Sequence, residues 1–305
     1  MRRWHPRGAP QEGRSLVCAH VPPGDSLNFV TAARVTIVAG KGGVGKTTVT
    51  AVLARAAADR GLRVAVVELD GKPTLDRLLP GIEVLHLDAA QALADYLDER
   101  GLAPITRRMR SSGVIDVVAS ASPGIDDLVV LGKVKQLERS GRYDAIVVDG
   151  PAAGHAITFL TSPAGLRAAA RGGPIASQAD DVIAMLADPA RSQVVLVTLP
   201  EATPVNEVIE TAYALEDRVG MNLGPVIVNA IDDGPLLDAS AAAEGSALRA
   251  AAEFRNSRRQ LHAAECERLA DALALPQVHL PLVPGAHLDD EAVRRLVATA
   301  LAARP

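Results

Sequence analysis

The sequence predicts an α/β fold in which a doubly wound, mostly parallel sheet is joined by a small helical subdomain. Short aliphatic runs alternate along the chain with segments of helical periodicity, as is typical of parallel sheets. The first run leads directly into a glycine-rich stretch that opens a helix, an arrangement found at ligand sites. With 305 residues and 48% apolar content, the chain can bury one large core.

Six strand-length runs are expected to form the sheet. Most of them are continuously aliphatic, which indicates strands that are buried on both faces. We expect strands at Val35–Ala39, Val64–Leu69, Tyr143–Val148, Val194–Leu199, Val226–Val228 and Val278–Leu280. Ligands in such folds bind beyond the carboxyl ends of the strands, so the residues that follow these runs are the candidates for function.

Three helices are expected from their periodicity. The first follows the first strand, carries apolar residues at three- and four-residue spacing from Val49 to Ala57, and ends at Gly61. An amphipathic helix is expected around residues 179–186, in the small subdomain. A long helix rich in Ala, Arg and Glu is expected over residues 246–275, where packing and solvated charge explain its composition best and a partner surface is the minority interpretation.

The stretch after the first strand fits G-x-x-x-x-G-K-[ST] and predicts a nucleoside triphosphate site of the P-loop NTPase class. Its glycines allow backbone N–H groups to surround phosphate oxygens, and the following helix adds its positive dipole end. Lys46 is expected to reach the β- and γ-phosphates, and Thr47 to bind Mg²⁺ through its hydroxyl. A plain turn would need neither side chain. The expected binding residues are Gly40, Lys41, Gly42, Gly43, Val44, Gly45, Lys46, Thr47 and Thr48.

Two aspartates follow expected strands and are candidates for catalysis and metal binding. Asp149 follows the third strand and is expected to bind Mg²⁺, as in a Walker B strand. Asp70 follows the second strand and is expected to position the attacking water, although an ordinary Asp-Gly turn is the alternative there. The glycine-bearing segment from Gly150 to His155 is expected to be a switch loop, with His155 itself more often structural than catalytic.

The position of Lys41 carries a family resemblance. The form K-G-G-V-G-K-T-T resembles the deviant Walker A motif of the ATPases that include the partitioning ATPases, the nitrogenase iron protein and the arsenite-pump ATPase. In that family, the lysine after the first glycine reaches the nucleotide of the partner subunit. The resemblance therefore implies a dimer that encloses two ATP molecules, and assigns Lys41 a catalytic role beside Lys46.

Further motifs narrow the resemblance to one branch. The segment Asp149–His155 is similar to the D-T-A-P-T-G-H switch of the arsenite-pump and tail-anchored-protein-targeting ATPases, and residues 123–126 are similar to their P-G-I-D. The similarity runs from about Arg34 to the C-terminus. It implies that the adenine base is contacted by Asn229, Pro281 and Val283. Cofactors implied by the family are ATP and Mg²⁺.

The sequence also departs from that branch. The family's switch I reads D-P-A-H-N, whereas Asp70 is followed here by Gly-Lys-Pro, so only the aspartate carries over and we expect slow or altered hydrolysis. The zinc-binding C-x-x-C is absent, and four methionines give little support for a Met-rich client groove. The switch regions have no cysteines that could bind an iron–sulfur cluster, which excludes the nitrogenase iron protein. The N-K-x-D motif of GTPases is also absent, which favours adenine over guanine.

Composition argues against several kinds of partner and site. A net charge of −4 with only short basic clusters argues against nucleic acid as a partner, and Cys18 and Cys266 have no metal-binding spacing. No apolar run is long enough for an integral membrane segment, so we expect a cytoplasmic protein. Residues 1–33, rich in Arg, Pro and Gly, are expected to form a disordered extension, followed by a single ATPase domain over residues 34–305.

These observations favour Mg²⁺-dependent ATP hydrolysis that drives a conformational cycle in a dimer, with Lys41, Lys46 and Asp70 as catalytic residues. The alternative is a nucleotide-gated protein-binding or regulatory subunit with little hydrolysis. Either protein would form a homodimer or a heterodimer with a paralogous ATPase, and either could act on a protein client. The altered switch I favours the alternative somewhat.

Overall fold

The computed structural model describes residues 26–69, 71–99, 101, 104, 106–108, 124–283, 285 and 288–302. Several positions singled out in the sequence lie outside these ranges. They are residues 1–25, Asp70, residues 109–123 with the start of the P-G-I-D segment, and Pro284.

The described residues form one seven-stranded sheet in which all neighbouring strands are parallel. Its order is β3-β2-β4-β1-β5-β6-β7. The strands are β1 (Val35–Gly40), β2 (Val64–Glu68), β3 (Glu83–His86), β4 (Ala145–Ala152), β5 (Ser192–Thr198), β6 (Val226–Ile231) and β7 (Gln277–Pro281).

Helices cover both faces of the sheet. Helices α1, α2 and α9 pack on one face, and α3 to α8 on the other. Their bounds are α1 (Lys46–Asp59), α2 (Thr74–Leu78), α3 (Ala89–Glu99), α4 (Ile125–Arg139), α5 (Ala153–Ala169), α6 (Pro174–Ala187), α7 (Ala202–Val219), α8 (Ala247–Ala272) and α9 (Asp290–Ala302). None of these helices combines the length and the apolar character that a membrane span requires.

Alternate residues of each strand enter different halves of the core. In β1, Val35 and Ile37 pack with α3 to α8, whereas Val38 packs with α1 and α9. Since strand side chains alternate between faces, a sheet covered on both sides needs apolar residues at every position. This explains why the central strands are continuous aliphatic runs without polar alternation.

The fold creates a crevice at the carboxyl ends of β1 and β4. These strands are neighbours, but α1 leaves β1 toward one face while α5 leaves β4 toward the other. The two connections therefore diverge and leave a gap between them, which is where doubly wound sheets bind ligands. The glycine-rich loop and Asp149 both lie at this gap.

All six expected strands are confirmed, as is the long helix, which is α8. The expectation missed β3, an edge strand of four residues whose two end residues, Glu83 and His86, are exposed. Such a strand carries no aliphatic run, because only a covered strand needs one. The helix expected around residues 179–186 is part of α6, which packs on the main core beside α5.

The fold begins earlier than the expected boundary near Ala33. Residues Asn28–Thr31 form a 3₁₀ turn, and the side chains of Leu27, Phe29 and Val30 are at most 5% exposed. They pack against the half of the core that contains α1 and α9, and the Gln193 side chain donates to the Phe29 carbonyl at 2.9 Å. This apolar segment is too short to show periodicity, so the expectation of disorder was wrong for residues 26–33.

Candidate nucleotide site

The glycine-rich loop between β1 and α1 has the geometry of a phosphate cradle. Gly43 and Gly45 have φ angles of +87° and +90°, in the left-handed region that favours glycine. A Cβ atom on Gly45 would also collide with the side-chain amide of Asn229, and one on Gly40 would collide with the Val197 carbonyl. Gly42 and Gly43 face open space. Tight packing on one side and open space on the other leave room for a phosphate chain.

Asn229, at the end of β6, contacts this loop directly. Its side chain is 9% exposed, and its amide nitrogen donates to the Val44 carbonyl at 2.9 Å. The next residue, Ala230, is the one described non-glycine residue with a positive φ, +58°. A left-handed alanine costs about 1–2 kcal/mol, and such strain is commonly kept at functional sites.

The residues expected to contact adenine lie together. Pro281 pairs in register with Ile231, and the backbone N–H of Leu282 donates to the Ile231 carbonyl at 2.8 Å. Asn229 lies in β6, and Val283 comes shortly after β7. Because β6 and β7 are neighbouring strands, both residues lie toward the same edge of the sheet. Their contact with a base stays a prediction, and the Asn229 amide nitrogen already serves the phosphate loop.

The two lysines of the loop have different partners. The Lys46 ammonium donates to the Lys41 carbonyl at 3.3 Å, which holds it across the loop. The Lys41 ammonium instead reaches away to the carboxylate of Glu207 on α7, at 2.5 Å. Both side chains of this ion pair are more than a third exposed. Lys41 is thus held by its own chain through a contact that solvent screens.

Asp149 and two threonines of α1 form the candidate metal centre. The Thr47 hydroxyl donates to one carboxylate oxygen of Asp149 at 2.8 Å, and the Thr50 hydroxyl donates to the other at 3.1 Å. Thr48, expected to contact phosphate, lies between them in the first turn of α1. The structure therefore brings the two expected metal ligands into contact.

The donor set at Asp149 fits Mg²⁺. A hydroxyl and a carboxylate are hard oxygen ligands, and Mg²⁺ bound with a nucleotide takes only one or two groups from the protein. Burial raises the pKa of the Asp149 carboxyl, while the hydrogen bonds from Thr47 and Thr50 and the charge of Lys46 act against that rise. A cation bound here would stabilise the ionised carboxylate.

The end of β2 carries a second buried carboxylate, Glu68, which pairs in register with Asp149. One oxygen of Glu68 accepts the backbone N–H groups of Gly71 and Lys72 at 2.7 and 3.2 Å. The same oxygen contacts Nδ1 of His86 at 3.0 Å. Asp70, expected to position water, lies outside the described residues. Glu68, two positions before it, and Gly71, directly after it, both belong to this arrangement.

His86 joins β3 to two carboxylates. Its Nε2 lies 3.1 Å from the carboxylate of Asp76 on α2, while Nδ1 faces Glu68. The hydrogen bond to Glu68 is the main cause that raises the pKa of His86; burial acts against the rise, and Asp76 adds to it. With an acceptor at each ring nitrogen, the doubly protonated imidazolium is the favoured form.

The segment expected to be a switch loop is more regular than predicted. Strand β4 continues through Ala152 and α5 starts at Ala153, so His155 lies in the first helical turn, where it is exposed. Burial is the main cause that raises the pKa of the nearby Asp127, and the hydrogen bond from Ser162 acts against that rise. That hydrogen bond is 2.5 Å long. The described part of the P-G-I-D segment thus packs on α5.

Three arginines of α8, Arg255, Arg258 and Arg259, bind other parts of their own chain. Arg255 forms two hydrogen bonds of 2.7 Å to the carboxylate of Asp232, which follows β6, and Arg259 donates to the Asp232 carbonyl at 3.1 Å. Arg258 reaches Glu201, after β5, at 3.1 Å. These arginines tie α8 to two loops of the nucleotide edge, so they are not a free cationic surface.

Three site residues were missed in the sequence. Thr50 lies three positions after Thr47, so helical spacing could have placed it on the same face. Glu68 is a carboxylate that ends an apolar strand, which was also a usable signal. Glu207 is separated from Lys41 by 166 positions, and no local pattern links the two.

Comparisons with known proteins agree with this geometry. A family model described as anion-transporting ATPase matches residues 33–171, which include the phosphate loop and Asp149. The ATPase BagA of Mycobacterium tuberculosis is 32% identical over 301 residues, covering 82% of this chain and 87% of that protein. The chain belongs to the ArsA-like ATPase family.

More distant members of the ArsA-like family align over shorter parts. An arsenical pump-driving ATPase of Escherichia coli is 29% identical over 206 residues, covering 62% of this chain and 33% of that protein. The ATPase get3 of Schizosaccharomyces japonicus is 28% identical over 157 residues, covering 46% and 48%. Family membership confirms the resemblance to ArsA-like ATPases and the α/β P-loop fold.

Proposed function

We propose that this protein binds Mg²⁺ and ATP at the crevice beside β1 and hydrolyses ATP to drive a conformational cycle in a dimer. The observation that carries the proposal is the contact of Thr47 with Asp149, next to Lys46 and the open glycine loop. These groups supply hard oxygen ligands and a cation at one end of a phosphate cradle. An ordinary strand-to-helix turn would use none of them.

Positioning and charge stabilisation account for most of phosphoryl transfer, so few residues are required. The chemistry that Mg²⁺ would supply when bound is neutralisation of charge on the phosphates. Thr47 and Asp149 would hold the cation, and Thr50 would keep the Asp149 carboxylate oriented. Lys46 would neutralise charge on the β- and γ-phosphates. We assign the positioning of the attacking water to Asp70.

The pairing of Lys41 supports a shared site. Its ammonium points to Glu207 on α7 and leaves the phosphate loop of its own chain to Lys46. A lysine kept at the loop but not used there is available to a second nucleotide. We therefore propose that Lys41 leaves Glu207 and contacts the nucleotide of a partner subunit, which is a second copy of this chain or a paralogous ATPase.

The test is ATP turnover per subunit with Mg²⁺, measured across a wide range of protein concentration. A shared site makes specific activity rise as dimers form, and Lys46→Ala should abolish that activity. Arg142→Ala is the control, because it removes an exposed cation near the start of β4, at the opposite edge of the sheet. Turnover that equals that of Lys46→Ala at every concentration would refute hydrolysis by this chain.

A nucleotide-gated binding subunit is the second candidate. Large exposed apolar side chains concentrate in the connection between β6 and β7, where Leu236, Leu248, Phe254 and Leu261 are each more than 60% exposed. The same connection is bonded to loops of the nucleotide edge through Arg255 and Arg258. Tight ATP binding without turnover, together with nucleotide-dependent binding of a protein client, would favour this function.

A further inference from the structure

We propose that Glu68 is a positioning residue for the reaction proposed above, and that His86 fixes its carboxylate. Glu68 holds the backbone of Gly71 and Lys72 at the carboxyl edge of the sheet, beside the candidate metal centre. The inference rests on the proposed function for its catalytic consequence. Its structural part can be tested separately.

Three contacts of Glu68 fall on one carboxylate oxygen. Its side chain is 5% exposed, and Oε2 accepts from two consecutive backbone N–H groups and faces the His86 ring. Hydrogen bonds to a carboxylate are about twice as strong as neutral ones. Loss of this buried acceptor would therefore remove two strong hydrogen bonds from the backbone of Gly71 and Lys72.

His86 and Asp76 support the same segment from its other end. Gly71 and Lys72 lead into α2, which begins at Thr74 and carries Asp76 in its first turn. Asp76 contacts His86, which contacts Glu68. The segment between β2 and α2 is therefore bonded at its start through Glu68 and beyond its end through Asp76, with the edge strand β3 as the support.

This arrangement would supply rigidity that the local sequence does not. Gly71 has a φ of +69°, and a Cβ there would meet no atom within 4 Å, so packing does not fix its position. Helix α2 has only five residues. The carboxylate of Glu68 replaces packing as the constraint on Gly71 and Lys72, and Glu68 itself pairs in register with Asp149.

The experiment measures amide hydrogen exchange of residues 69–72 together with steady-state ATP turnover. The variants are Glu68→Ala, Glu68→Gln and His86→Gln, and Glu83→Gln is the matched control on β3. Glu68→Gln keeps the size and one acceptor oxygen, so it is useful even where Glu68→Ala does not fold. Exchange at Gly71 and Lys72 should be fastest in Glu68→Ala and intermediate in Glu68→Gln.

For turnover, we expect kcat of Glu68→Gln to fall about tenfold or more, with KM for ATP within about twofold, because misplacing a catalytic segment affects the transition state more than binding. The control should match the unmodified protein. Unchanged exchange at Gly71 and Lys72, or a raised KM at unchanged kcat, would overturn the inference. Absence of turnover in the unmodified protein would refute the proposed hydrolysis, while the exchange data would still decide the structural role of Glu68.

Discussion

The loops after β1 and β2 lie at the same edge of the sheet but are held in different ways. The loop after β1 is fixed by its own glycine geometry, by Asn229 and by the Val197 carbonyl next to Gly40. The segment after β2 is instead held by side chains, through one carboxylate oxygen of Glu68 and through the contact of Asp76 with His86. Backbone geometry and close packing therefore fix the first loop, whereas hydrogen bonds to charged side chains fix the second.

The difference indicates a division of labour. A preformed phosphate loop binds a nucleotide without reorganisation, which favours affinity. A segment held by hydrogen bonds to charged side chains can change its position when charge at the neighbouring site changes, as switch segments do. Four predictions, given in order of decreasing effect, test this comparison.

The largest effect is expected from Gly45→Ala. An alanine at this position would have to adopt the left-handed conformation, and its methyl group would collide with Asn229. We therefore expect a loss of about 2–4 kcal/mol of stability and a loss of nucleotide binding. Gly61→Ala is the control, because Gly61 also has a positive φ but has no atom nearby. Denaturant unfolding of both variants separates backbone strain from collision. Equal destabilisation would show that Asn229 does not constrain the loop.

Thr50→Val should have the next largest effect. It leaves one oxygen of Asp149 without its donor and keeps the shape of the side chain, so we expect Mg²⁺ affinity in the presence of nucleotide to fall about 10–100-fold. Titration of Mg²⁺ with a fluorescent ATP analogue measures this. Thr161→Val, which removes only hydrogen bonds to carbonyls of its own helix, is the control. Thr50→Ser should restore affinity, and unchanged affinity in Thr50→Val would contradict the role.

Glu207→Gln should act on activity and hardly on stability. The ion pair with Lys41 is exposed, so its loss should change the free energy of unfolding by less than about 1 kcal/mol. Releasing Lys41 should shift the concentration dependence of ATP turnover toward lower protein concentration. Glu210→Gln, on an exposed position of the same helix, is the control. A shift in the opposite direction would mean that Glu207 helps the active form.

The smallest effect is expected from pH acting on His86. Its folded-state pKa is raised, so its stabilising contribution is complete below the unfolded value of about 6.5 and is lost as pH rises through the folded value. The stability difference between the unmodified protein and His86→Gln should therefore shrink between about pH 6 and pH 9. Thermal unfolding across this range measures it. A difference that grows with pH would show that neutral His86 is the stabilising form.

The two loops also differ in how far sequence predicted them. The phosphate loop follows a local pattern, in which Gly45, Lys46 and Thr47 are neighbours and their roles follow from residue type. The same holds for Asp149, which directly follows the aliphatic run of β4. The six covered strands were predictable because each is buried on both faces.

What sequence did not predict depends on contacts between distant segments. The carboxylate of Glu68 contacts His86, which lies on the edge strand β3, where the sequence has no aliphatic run. The pairing of Lys41 with Glu207 and of Asn229 with Val44 depends on how helices and strands meet after folding. Local patterns specify which residues can do the chemistry, while tertiary packing decides which of them restrain one another.

The short turn before β1 has a consequence for the synthesis of the chain. Its buried residues Leu27, Phe29 and Val30 pack in the same half of the core as α9, and the Ser26 hydroxyl donates to the Ala300 carbonyl. The segment before β1 thus completes its packing with a helix that follows β7. Because a chain is synthesised from its N-terminus, this half of the core cannot close until α9 has been made. Until then, the side chains of Leu27, Phe29 and Val30 lack part of their packing.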